Sequence, residues 1–144
     1  VFLPGYALLP DFSPDDLIRE SDLVLYGEVL EVNSSWNDAG TKIFTYITLS
    51  IKEQFKGADA GKTMTIQVPG GTVGDITLRV SDVPEFEPGA DVVVHLFQKE
   101  TGYHWVYGWE KGVLDVRNNM IVDYNMTLGE FGQLVETNIN QGRR

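Results

Sequence analysis

His95 and His104 are the most chemically versatile side chains in this 144-residue sequence. The run Asp91–Gln98 reads as a strand, and Tyr103–Trp109 follows it after a short hairpin turn around Glu100-Thr101-Gly102. With Gln98 paired to Tyr103 across that hairpin, Phe97 faces His104 and His95 faces Val106. The two imidazoles are then diagonal neighbours on one face, ~7–8 Å apart at the backbone and within reach of one ion. Asp91 shares their parity. Imidazole with carboxylate suits a borderline divalent metal such as zinc or copper, so His95, His104 and Asp91 form the predicted metal set. The same residues also fit an ordinary half-exposed face, and a one-residue change of register would separate the histidines. Asp38 or Asp75 would serve a calcium ion held by loop oxygens, although no spacing here matches a calcium loop.

Other chemistry finds little support. The chain has no Gly-x-Ser-x-Gly elbow, no His-Glu-x-x-His pair, no phosphate loop and no cysteine. Gly70-Gly71-Thr72-Val73-Gly74 is glycine-rich, but neither a lysine nor a helix start follows it, so it reads as a turn. With 21 Asp and Glu residues paired carboxylates are unavoidable, and solvated surface is their default reading. The expectation is a protein that is not an enzyme, with no catalytic residue and no cofactor beyond a divalent ion. A stacking platform is the remaining option. Trp36, Phe44, Tyr46, Tyr103, Trp105, Tyr107 and Trp109 are the rings that OB barrels would use for single strands or sugars. A formal net charge of -10 disfavours nucleic acid, whose phosphates require clustered Lys and Arg. In the register above Trp105 lies opposite Leu96 and faces the core, which leaves Trp36 and Trp109 as the exposed aromatics.

The elements that position these residues are mostly short strands. Ser13-Pro14-Asp15-Asp16 starts a short helix ending near Ser21: a serine cap, proline in the first turn, and acids at the positive end of the dipole. A strand runs from Asp22 to about Asn33, with Gly27 marking a bulge or bend. Ile43, Thr45, Ile47, Leu49 and Ile51 then alternate strictly with Phe44, Tyr46, Thr48, Ser50 and Lys52, the signature of a half-buried strand. Apolar alternation resumes at Met64, Ile66 and Val68, at Ile76, Leu78 and Val80, at Val113 to Val116, and at Met120 to Tyr124. Thr127 and Glu130 form a capping box opening a helix whose stripe is Leu128, Phe131, Leu134, Val135 and Ile139. Many short strands with a helix at each end predict a mainly β protein, an OB-like antiparallel barrel with added strands, closure removing the sheet edges. A sandwich is the rival. The predicted core is Leu25, Val29, Ile43, Ile47, Leu49, Ile51, Ile66, Leu78, Val92, Val94, Leu96 and Trp105.

The organisation read from the sequence is an extended apolar segment at 1–12, one barrel domain at 13–140 and a frayed tail at 141–144. No run approaches the ~20 apolar residues of a membrane span. The leader is apolar yet broken by Pro4 and Pro10. Disordered leaders are usually polar, so this one needs cover, from its own domain or from a neighbour's. Val1, Phe2, Leu3, Tyr6, Leu8, Leu9 and Phe12 are therefore the predicted subunit interface. Beginning at Val1 rather than methionine, the chain reads as having lost a signal peptide, and the expectation is a secreted, extracellular or cell-surface protein.

Several stretches resemble a widespread domain of secreted bacterial proteins. They are Ser21 to Val29 followed by Trp36, Ile43 to Leu49, Phe55-Lys56-Gly57, Gly70 to Gly74 and Pro84 to Gly89. The family is largely uncharacterised and OB-like, and similar to the barrel of netrin-type and metalloproteinase-inhibitor modules. Netrin-type modules carry N-terminal cysteines, and their absence here argues against an inhibitor role. Barrels of this class also serve as subunits of extracellular bacterial fibres. The resemblance therefore implies a fimbria-like structural subunit whose partner is itself, in a head-to-tail homopolymer. The alternative is a monomeric secreted module that binds carbohydrate or protein.

Overall fold

A computed structural model describes residues 12–100 and 102–142. Helix α1 (Pro14–Glu20) begins as its sequence requires, with Ser13 Oγ accepting from the Asp16 N–H at 3.2 Å. It stops at Ser21, whose hydroxyl donates to the Leu17 carbonyl. Lys56 Nζ donates to the carbonyls of Ile18 and Arg19 at 2.7 and 3.1 Å, so a cation brought by a distant strand caps the negative end of this helix.

The strands are β1 (Leu23–Trp36), β2 (Ile43–Lys56), β3 (Thr63–Pro69), β4 (Gly71–Val73), β5 (Ile76–Leu78), β6 (Asp91–Gln98), β7 (His104–Val106), β8 (Val113–Arg117), β9 (Met120–Ile121) and β10 (Met126–Thr127). A 3-10 turn at Trp109–Gly112 precedes β8, and helix α2 (Leu128–Gln141) closes the chain with both bonds of the Thr127–Glu130 capping box made. The ring runs β1-β2-β3-β7-β6 and returns through β1–β6, an OB-like barrel. Its pairings are antiparallel except for β3–β7, which is parallel. Strands β8 to β10 extend the sheet beyond β6, and β4–β5 form a separate hairpin. Among the described residues no helix is long and apolar enough to cross a membrane.

Strand pleat divides the apolar residues between two cores. Leu25, Val29, Ile47, Leu49, Ile66 and Val94 fill the barrel. Val24 and Val93, on the outer face of the same strands, are buried under α2 with Phe131, Val135 and Ile18. The second core is a correction to the single core expected from the sequence. Of the predicted set, Ile51, Leu78 and Trp105 are only half-buried, and the other nine are buried. Gly27 marks a shift of register between β1 and β2, and a Cβ there would collide with the Ser50 carbonyl oxygen. The glycine is needed because two backbones approach too closely for a side chain.

Ile47 and Phe131 are fully buried, one in each core. Ile47→Ala should cost ~2–5 kcal/mol and Phe131→Ala ~3–5 kcal/mol, measured by chemical denaturation. An unmoved midpoint for either would remove that residue from its core.

Candidate functional site

The β6–β7 hairpin pairs Gln98 with His104, Phe97 with Trp105 and Leu96 with Val106, one residue away from the register expected from the sequence. The Lys99 N–H donates to the Tyr103 carbonyl at 2.8 Å, which moves the closing pair of the hairpin outward. Because strand faces alternate, this single step puts His95 and His104 on opposite sides of the sheet. Asp91 accepts from Lys52 Nζ at 3.2 Å on the barrel exterior. The predicted metal set of His95, His104 and Asp91 is therefore not brought together. Among the described residues no group of three or more His, Cys, Asp or Glu could hold an ion.

His95 instead lies in the second core. Its Nδ1 is 2.9 Å from the Gly112 carbonyl oxygen, which can only accept, so Nδ1 carries the proton. Among the described residues Nε2 has no hydrogen-bond partner, and Phe131 stands edge-on with ring centroids 6.2 Å apart. Burial lowers the pKa of this imidazole to about 4, with the charge of Lys56 adding to the depression and the Gly112 bond opposing it. The neutral ring ties the turn before β8 to β6. His104 is half-buried, and its pKa too is lowered by burial.

The same register step gathers the aromatics. Trp105, expected in the core, lies on the outer face, where its ring is 6.4 Å from Phe44 and 6.5 Å from Trp109. Tyr46 and Tyr103 are 5.1 Å apart beside them. Gln67, only 4% exposed, links the two groups: its Oε1 accepts from Trp105 Nε1 at 2.7 Å and its Nε2 donates to the Tyr46 hydroxyl at 3.2 Å. Lys99 Nζ lies 4.5 Å from the centre of the Trp105 ring. Trp36, Tyr103 and Trp109 are exposed, as read from the sequence for both tryptophans. Rings held by a buried amide form a rigid surface suited to stacking.

A second surface opens where the barrel is incompletely zipped. β1 pairs with β6 only from Leu23 to Glu28. Two bonds at Val29 end that edge: its N–H donates to the Ala90 carbonyl at 2.9 Å, and its own carbonyl accepts from Gly89 at 2.7 Å. From Leu30 to Trp36, among the described residues, β1 has a strand partner on the β2 side alone. A groove of about 670 Å³ opens there, lined by Val32, Ser34, Val68, Leu78, Val80 and Phe86 among others. Thr45 Oγ1 donates to the Gly70 carbonyl at 2.8 Å and lies 2.8 Å from Ser34 Oγ, so the β4 end of the mouth is fastened. Of the predicted interface, Phe12 is half-buried and edge-on to Tyr107 at 5.8 Å. Val1, Phe2, Leu3, Tyr6, Leu8 and Leu9 lie outside the described residues. Turn chemistry from Asn33 onward hid the distal half of β1 in the sequence, and a missing partner strand leaves no local signal.

No protein-family model matches this sequence, and no curated protein matches it significantly.

His95 makes stability depend on pH. Between its folded pKa of about 4 and its ordinary value of 6.5, the unfolded chain takes up a proton that the folded chain does not. Its contribution is therefore complete above pH ~6.5 and is lost as pH falls towards 4, by up to ~3 kcal/mol. His95→Gln should flatten this part of the stability profile measured by urea titration at pH 7 and 4.5. An unchanged slope would refute the assignment.

Proposed function

We propose that this chain is the structural subunit of a secreted bacterial filament at the cell exterior, polymerising head to tail through residues 1–12 packed on a neighbouring barrel. The observation that carries the reading is an apolar leader on a barrel whose β1, among the described residues, pairs on the β2 side alone beyond Val29. Burying Val1, Phe2, Leu3, Leu8 and Leu9 contributes ~1.5–3 kcal/mol each. Ordering the segment costs ~1–2 kcal/mol per residue, so apolar contact alone barely breaks even. Backbone pairing supplies the difference, and an unpaired edge offers it. A contact between a leader and a distant edge is heterologous, so it propagates as a filament unless its rotation closes a ring. Secretion and a bacterial source rest on the family resemblance of the β1, β2 and Pro84–Gly89 stretches. The net charge of -10 fits a partner that is another copy or a neutral ligand better than nucleic acid.

A second reading, a monomeric module binding carbohydrate, is favoured by the aromatic face of Trp105, Trp109 and Tyr103. Sugar rings stack on such faces while amides and ammonium groups meet their hydroxyls.

Deletion of residues 1–11 keeps Phe12 on Tyr107 and should leave a folded monomer, while the full chain forms polymers visible by light scattering and electron microscopy. Leu8→Asp with Leu9→Asp should act likewise. If the deleted chain still assembles, or the full chain stays monomeric at high concentration, the polymer reading fails. Retardation by a soluble polysaccharide that Trp109→Ala abolishes would then support the binding module.

A further inference from the structure

We infer that residues 5–9 of a second copy add as a strand along the free edge of β1, Leu30 to Trp36, with alternate side chains entering the groove beside it. This rests on the polymer reading and names its acceptor. The first argument is the state of the edge. Natural proteins blunt exposed strand edges with lysine, proline or a bulge that turns the edge away, because an open ladder invites pairing. Leu30-Glu31-Val32-Asn33-Ser34-Ser35-Trp36 has no lysine and no proline, and one charge. Leu30 and Trp36, at its two ends, are 46% and 36% exposed. The one irregularity, the register shift between Val29 and Glu31, sits where pairing with the β6 side stops, leaving the residues beyond it in a regular ladder with β2.

The second argument is the fit of the occupant. Pro4 and Pro10 cannot donate to a ladder and mark the ends of any strand formed by the leader. Between them Gly5-Tyr6-Ala7-Leu8-Leu9 gives five consecutive donors, an extended length of ~17 Å. The open edge, at the same rise per residue, is ~23 Å long and accommodates it. Val32 and Ser34 line the groove. An added strand would send alternate leader side chains over them and leave the others beside Glu31, Asn33 and Ser35.

The third argument concerns which copy supplies the strand. Residues 1–11 lead into Phe12, which packs against Tyr107. Eleven extended residues span at most ~36–40 Å, enough to leave their own barrel and reach a neighbour. Two copies joined in this way keep one leader and one edge free, which is the condition for growth.

The absence of any native cysteine makes the contact directly testable. One full-length variant carries Ser35→Cys; three others carry Tyr6→Cys, Ala7→Cys or Leu8→Cys and a second affinity tag. Mixed before assembly and then oxidised, an edge variant and a leader variant should give a covalent heterodimer. Its yield should be at least tenfold that obtained with Val122→Cys as the acceptor. Chains carrying both changes should give a ladder of covalent oligomers. Assembly without any such cross-link overturns the acceptor while leaving the polymer reading intact, and so does a cross-link found only within one chain. Assembly of the 1–11 deletion overturns the polymer reading itself.

Discussion

Six residue pairs between β1 and β6, from Leu23 with Leu96 to Glu28 with Asp91, close the barrel, and short of the Glu28–Asp91 end both faces of that ladder are largely buried. Inward, Leu25 and Val94 meet the residues of β2 and β3; outward, Val24, Val93 and His95 lie beneath α2. A ladder buried on both sides cannot slip by one residue, because every side chain would change cores. It therefore sets the register of its neighbours on both sides. This is why a histidine whose Nε2 has no donor among the described residues is tolerated at its centre. The pleat requires an outward residue there, and the Gly112 carbonyl satisfies the one proton the neutral ring has to donate.

Length is the second consequence. β1 has 14 residues, and its ladder with β6 and the two bonds at Val29 use the first half, so the other half projects past the closure. On the β2 side the projection is supported all the way to Trp36 opposite Ile43. On the other side the chain between β5 and β6 returns without regular structure, although Val83 and Phe86 still pack against the barrel core. Among the described residues the barrel is closed at one end and open along half of β1 at the other. An apolar leader on the same chain is the complementary element, and the polymer reading joins the two.

The helices were legible because their signals are local. Ser13, Pro14 and the two aspartates start α1, and Thr127 with Glu130 starts α2, each within one turn of sequence. The strict alternation from Ile43 to Ile51 located β2 and its inward face for the same reason. The metal set and the place of Trp105 depended instead on the number of residues in one turn between β6 and β7. No apolar pattern constrains that number, since Phe97, Trp105 and Tyr107 are at home on a half-buried outer face or in a core. The tertiary sheet chose the pairing, and with it placed Trp105 beside Phe44 rather than inside.

By itself, then, the sequence determined a mainly β chain flanked by two capped helices, the inward face of its central strand, and the apolar composition of residues 1–12. Those follow from periodicity, capping and composition, which act over a few residues. Tertiary structure decided the parallel β3–β7 closure, the second core under α2, the separation of His95 from His104, and the edge of β1 that stays open. All four depend on which distant strands meet and in what register. That choice is made by burying both faces of one ladder at once, a condition that no single segment can satisfy or reveal.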